Sequence, residues 1–291
     1  MTDEVIGVIG GSGLYAMDGL EDIERVHVET PFGEPSDAYV TGVLAGRRMA
    51  FLPRHGVGHR YLPTEINFRA NIWGFKKLGC QRLISVSAVG SMKEEIAPGD
   101  LVFVEQFIDR TRSRPLTFMG DGLVGHVALA DPISGPLHDA LLAAAHRVEG
   151  VTAHPTGTYI CIEGPQFSTR AESRLYRSWG VHVVGMTNLP EARLAREAEI
   201  AYATIALATD YDSWKEDEAH VETEAVLQIL RANVDKAKRV IRAYVEGELE
   251  PLDPVASTAL RTSLMTPLDA IPAEGRRNLA PLLEPFIDGQ P

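Results

Sequence analysis

The sequence is most constrained by a set of short, almost wholly apolar runs that each lead to Gly, Ser, Thr or Asp. Val5–Ile9 runs into Gly10-Gly11-Ser12-Gly13, and Arg82–Val89 into Gly90-Ser91. Leu101–Val104 leads to Asp109-Arg110, His182–Met186 to Thr187, and Ala201–Ala208 to Thr209-Asp210-Tyr211-Asp212. A strand that is apolar on both faces has to be covered on both faces, which is the pattern of a mixed or parallel sheet between helices. Helical periodicity fills the gaps. Asn67–Leu78 stops at Gly79, Leu137–Val148 at Gly150 and Ala171–Trp179 at Gly180, each glycine a natural helix terminator. Glu222–Val245 carries Val226, Leu230, Val234, Ala237 and Ile241 at helical spacing. The expected fold is therefore α/β, with a central mixed sheet flanked by helices and ligands bound beyond the carboxyl ends of the strands.

Beyond Glu250 this periodicity stops, and seven of the eighteen prolines lie there. We expect one domain over residues 1–249 and a Pro-rich C-terminal extension over 250–291 that lies outside the catalytic core. A net charge of −12 over 291 residues argues against nucleic acid, whose phosphates require a basic surface. Cys80 and Cys161 are the only cysteines and form no CxxC, which excludes a disulfide framework and argues against a cysteine zinc site. No stretch approaches the ~18 apolar residues of a membrane span, and the start is acidic where a secretory signal is basic. Cytoplasm is the expected compartment.

Several strand ends carry residues suited to chemistry. Gly10-Gly11-Ser12-Gly13 can bring backbone N–H groups and a hydroxyl to an anion, or can simply be a tight turn; the GxGxxG spacing of a dinucleotide loop is absent. Pro53-Arg54-His55-Gly56 offers adjacent donors for a tetrahedral oxyanion. Ser87-Ala88-Val89-Gly90 leaves room for a ligand, although small residues also serve close packing. Phe167 could stack on a flat ring or belong to the core, and Glu172 suits a first helical turn. Asp210 and Asp212 follow directly on a buried strand, two residues apart and so on one side of an extended segment. Their mutual repulsion would raise one pKa and allow proton donation; a helix cap at Asp210 is the alternative.

Taken in order, Val8–Leu14, Thr30–Asp37, Arg54–Gly56, Asn71–Trp73, Ala88–Ser91, Pro98–Asp100, Gln106–Thr111, Glu163–Ser168, Arg170–Glu172 and Ala208–Asp212 resemble the trimeric purine nucleoside phosphorylase family, in the branch that acts on 5'-methylthio-nucleosides. The resemblance spans roughly residues 5–245. It implies a partly barrel-like mixed sheet and a homotrimer with no metal or organic cofactor, inorganic phosphate being a co-substrate. It implies phosphorolysis of 5'-methylthioadenosine to adenine and 5-methylthioribose 1-phosphate. A preference for methylthioinosine or other 6-oxopurine nucleosides, or nucleotide binding without catalysis, are the alternatives. By resemblance, Ser12, Arg54, His55, Ser87, Thr187 and the backbone of Ala88 would hold phosphate. Met186 would meet the ribose and Phe167 the purine, while Ser168, Asp210 and Asp212 read the base edge, Asp210 at N7. Thr223, Val226 and Leu227 would line the methylthio pocket, together with His126 of a neighbouring subunit. Animal members carry Thr at the Ser12 position, which keeps the hydroxyl, and Val at the Thr223 position, so this pocket is slightly more polar.

Overall fold

The computed structural model describes residues 4–11, 13–215 and 223–287. The apolar runs form strands, as their composition requires. In chain order the elements are β1 (Val5–Gly10), β2 (Leu20–Val26), β3 (Tyr39–Leu44), β4 (Arg47–Pro53), α1 (Phe68–Lys77), β5 (Cys80–Ser91), β6 (Leu101–Phe103), β7 (Gln106–Arg110), α2 (Gly135–His146), β8 (Ala153–His154) and β9 (Thr158–Ile162). There follow α3 (Arg170–Ser178), β10 (Val183–Gly185), α4 (Asn188–Glu197), β11 (Ala201–Tyr211), α5 (Thr223–Val245), α6 (Pro254–Ser257), α7 (Ala273–Asn278) and α8 (Ala280–Ile287).

The strands make one mixed sheet of eleven, in the order β2-β3-β4-β1-β5-β10-β9-β7, from which β11, β6 and β8 branch at β5. The sheet forks and does not close into a barrel. β5 is its trunk. Along one edge it pairs in parallel with β11 from Arg82 to Ser91. Along the other it pairs in parallel with β1 only as far as Ser85, then antiparallel with β10 at Gly90 and Ser91. Residues 86–89 therefore have no strand partner on that edge, and the sheet opens there. A point where neighbouring strands diverge in this way is where open α/β sheets bind ligands.

The helices begin and end on local chemistry. Asn67 caps α1 by accepting from the Ala70 N–H, and Gly79 follows its end at φ +82°. Thr169 and Glu172 form a reciprocal capping box on α3, so the helix-start reading of Glu172 holds. α2 stops at His146, two residues short of the expected Val148. The charged helix α4 and the β2–β3 hairpin were not expected. Beyond Glu250 the chain packs onto the same core: Leu260, Ile271, Leu279, Leu282 and Leu283 are buried in it, and Trp73 Nε1 donates to the Asn278 carbonyl at 3.0 Å.

Candidate active site

The site can be built outward from the unpaired stretch of β5. A residue in mid-strand of a central strand is normally covered, yet Ala88 is exposed and Gly90, two residues on, is half-exposed. Alternation puts both on one face, which is open to solvent. Around this opening β1, β4, β10 and β11 deliver their carboxyl ends.

On the β1/β4 side, the Arg54 N–H bonds to the Gly10 carbonyl at 2.8 Å and joins the two strand ends. The Arg54 side chain is buried. Its Nε and Nη2 form a forked pair with Glu191 at 2.7 and 2.9 Å, Nη2 also donates to Ser85 Oγ at 2.7 Å, and Nη1 donates to the Val86 carbonyl at 3.0 Å. Among the described residues this leaves one of the five guanidinium hydrogens, on Nη1, beside the unpaired strand edge. His55 Nδ1 lies 2.8 Å from the Tyr61 carbonyl. A carbonyl only accepts, so Nδ1 carries the hydrogen and Nε2 of the neutral ring is an acceptor. The ring stacks on His59, with centroids 4.1 Å apart. Burial lowers the His55 pKa to about 4, against the hydrogen bond to Tyr61 and with the help of Arg54 and His59. The expectation of several open donors from Arg54 and His55 is thus narrowed to one guanidinium hydrogen and one imidazole acceptor.

Across the opening, Ser87 Oγ lies 3.2 Å from Thr187 Oγ1, and the Tyr159 hydroxyl stands 3.4 Å from both Ser87 Oγ and the Thr187 N–H. Tyr159 can stand there because residue 185 is glycine: a Cβ at Gly185 would fall 2.0 Å from its hydroxyl. Ser87 and Thr187, a hundred residues apart in sequence, meet here. Gly11 is exposed in the adjoining turn; Ser12 falls outside the described residues.

At the end of β11 a bulge between Ala208 and Asp210 shifts the register, so that Asp210 pairs with Gly90 and Tyr211 with Ser91. Bulges of this kind re-aim side chains. A Cβ on Gly90 would lie 3.2 Å from Asp210 Oδ1 and 3.3 Å from Asp212 Cβ, so both aspartates flank this glycine on one side, as their spacing predicts. Asp210 accepts from Thr209 Oγ1 at 2.7 Å. Asp212 is buried, and its Oδ2 has no partner among the described residues. Burial raises its pKa; hydrogen bonds from Ser173 and Ser213 oppose the rise and the charge of Asp210 adds to it. Carboxylate repulsion is therefore the lesser cause, and burial the greater. Buried Ser168 also has an Oγ without a partner among the described residues, and its carbonyl accepts from Ser213 Oγ at 2.9 Å, which sets Ser168 beside the segment that carries Asp212. Phe167 is 83% exposed and stands free of the core. Met186 packs against Gly164, where a Cβ would lie 2.5 Å from its sulfur.

His126, expected to serve a neighbouring subunit's pocket, lies apart from the opening of its own chain. His126 is exposed on a loop bound to the C-terminal segment, its N–H donating to the Ser263 carbonyl at 2.8 Å. Thr223, Val226 and Leu227 lie in α5, with their side chains outside the described residues. Farther along α5, Asn233 Nδ2 donates to the Ala208 carbonyl at 2.8 Å, which ties the helix to the strand carrying the aspartates.

Sequence reasoning missed Glu191 and its network. The Tyr202 hydroxyl donates to Glu191 Oε1 at 2.9 Å, and Asn188 Nδ2 reaches the Tyr202 hydroxyl at 2.8 Å and Thr204 Oγ1 at 2.6 Å. A buried arginine needs buried acceptors, a carboxylate being the strongest, and Glu191 interrupts an otherwise apolar Leu189–Ala192; nothing local, however, links residues 137 apart in sequence. Among the described residues no cluster of His, Cys, Asp and Glu could hold a metal ion, and no helix is long and apolar enough to cross a membrane.

Comparison with known proteins identifies the family. Residues 5–246 match the Phosphorylase superfamily. The S-methyl-5'-thioadenosine phosphorylase of Geobacter sulfurreducens is 57% identical over 98% of this chain and 100% of its own length. That of Koribacter versatilis is 51% identical over 98% and 97%. Among solved structures, a methylthioadenosine phosphorylase from an Antarctic soil metagenomic library superposes with a TM-score of 0.90 at 48% identity, covering 96% of this chain and 98% of that one. The methylthioadenosine phosphorylase of Schistosoma mansoni in complex with adenine gives 0.78 at 37% identity, covering 83% and 90%. With most of its length matched at these identities, the chain belongs to the Phosphorylase superfamily, in its S-methyl-5'-thioadenosine phosphorylase family.

Proposed function

We propose that the protein catalyses phosphorolysis of 5'-methylthioadenosine to adenine and 5-methylthioribose 1-phosphate. The observation that carries this reading is the opening at the unpaired edge of β5, which has hydroxyls, a guanidinium hydrogen and an imidazole acceptor on one side and the Asp210/Asp212 pair on the other. Glycosidic cleavage leaves a sugar with cationic character and a departing purine, and both need stabilising in the transition state. Phosphate held near Ser12, Ser87, Thr187, the Ala88 backbone and the last Nη1 hydrogen of Arg54 would present its negative charge to C1'. Hydrogen phosphate can also donate its own P–OH to His55 Nε2. Asp210 would hydrogen-bond or protonate purine N7, so that the base leaves neutral, and Asp212 would accept from the 6-amino group. Met186 would lie against the ribose, Phe167 and Ser168 at the purine, and Thr223, Val226 and Leu227 at the alkylthio group. The reaction needs no metal or organic cofactor, phosphate being a substrate.

In the same reading the enzyme works in the cytoplasm as a homotrimer whose His126 completes a neighbouring methylthio pocket. The test is base release from methylthioadenosine, methylthioinosine, adenosine and inosine in parallel, with and without phosphate, in buffer containing EDTA. Turnover should require phosphate or arsenate, survive the chelator and favour methylthioadenosine. Preference for methylthioinosine would overturn the adenine assignment, and phosphate-independent hydrolysis the whole mechanism.

A further inference from the structure

We propose that Glu191 is a positioning residue for the phosphate half of the site, acting through Arg54 and through the start of α4; this rests on the phosphorolytic reading. Glu191 and Arg54 are almost completely buried, at 0% and 3% side-chain exposure, and meet in a two-pronged pair. A forked guanidinium–carboxylate pair fixes the plane of the guanidinium as well as its place. With Nε and Nη2 held by Glu191 and Ser85, Nη1 is left pointing at the Val86 carbonyl, the first residue of the unpaired stretch of β5. Its remaining hydrogen is thereby delivered where the strand edge is open. Glu191 also cancels the charge of Arg54, so the cradle offers aimed donors and not a bare cation.

The same carboxylate accepts from the Tyr202 hydroxyl, which is bonded in turn to Asn188, the residue that follows Thr187. One network thus ties the orientation of Arg54 to the helix start that sets Thr187 Oγ1 at 3.2 Å from Ser87 Oγ. A merely structural ion pair would also join these elements, but its loss would lower stability without singling out one substrate.

Steady-state kinetics with each substrate varied separately distinguish the two roles. For Glu191→Gln, the KM for phosphate should rise about tenfold, the size of one coupling lost from a hydrogen-bonded network, while the KM for the nucleoside stays within about twofold. Because part of the effect of Glu191 passes through Arg54, a double variant with Arg54→Lys should lose clearly less affinity for phosphate than the product of the two single effects. If Glu191→Gln does not fold, Tyr202→Phe removes a single bond from the carboxylate and should raise the phosphate KM about threefold. A lowered Tm with an unchanged phosphate KM, or additive effects in the double variant, would overturn the proposal. Absence of phosphate-dependent turnover in the unaltered protein would instead overturn the phosphorolytic reading.

Discussion

Replacing Asp210 with Asn tests base recognition with little disturbance of the fold. The asparagine Oδ1 can still accept from Thr209 Oγ1, which bonds Asp210 at 2.7 Å, and the side chain keeps its size beside Gly90. What is lost is charge. A hydrogen bond to a charged group contributes about 1.5–3 kcal/mol, and about 1.4 kcal/mol is tenfold in rate, so kcat/KM for methylthioadenosine should fall roughly 10- to 150-fold. Methylthioinosine should lose much less, or gain, because the new amide can donate to a 6-oxo oxygen. A second readout follows from the pair itself. The charge of Asp210 is one of the influences holding the Asp212 pKa up, so its removal should shift the Asp212 carboxyl titration downward, as followed by carbon NMR. A helix-cap role predicts instead about 1 kcal/mol of lost stability and equal losses on both nucleosides. Equal losses in kcat/KM would refute base recognition by Asp210.

Asp212→Asn should cut kcat/KM for methylthioadenosine while raising Tm at pH 7, because it removes a carboxyl whose charge is disfavoured by burial; a lowered Tm would contradict this. His55 makes stability pH-dependent with a definite sign. Its pKa is about 4 in the fold against 6.5 otherwise, so the unfolded chain binds the extra proton between these values. That contribution, at most about 3 kcal/mol, is intact above pH 6.5 and lost as the pH falls towards 4. Denaturant melts at pH 7.5, 6 and 5 should therefore show a shallower decline for His55→Gln than for the unaltered protein, and parallel declines would contradict it. Analytical ultracentrifugation at assay concentration should show a trimer, and a fully active monomer would remove His126 from the site.

The parts legible in the sequence were those with a one-sided local signature. β1, β5, β10 and β11 announced themselves because burial on both faces leaves an apolar run, and α1 and α3 because Gly79 and Gly180 end them at positive φ. The pairing of Asp210 with Asp212 was readable from strand alternation alone. The edge strand β2, Leu20–Val26, was not, since four of its seven residues are charged and exposure erases the apolar signal. Helix α4 was lost for the opposite reason: Glu191, Arg196 and Glu197 are buried, so its charges read as surface when they are core. The bulge at Thr209 follows from register against β5, a relation between distant segments, and so does the meeting of Ser87 with Thr187.

The gap at residues 86–89 has a thermodynamic consequence. In a continuous sheet the backbone groups on that edge would belong to a neighbouring strand, whereas here the pairing of β5 with β1 stops at Ser85 and its pairing with β10 begins at Gly90. An anion seated in the gap, as proposed, would take the place of the missing strand and bridge the two halves of the sheet through the trunk they share. Ligand affinity and sheet cohesion then draw on the same donors. By linkage, occupancy should protect the Ala88 amide, which alternation turns to the open edge, from hydrogen exchange, although it lies at the centre of the protein and not at its margin.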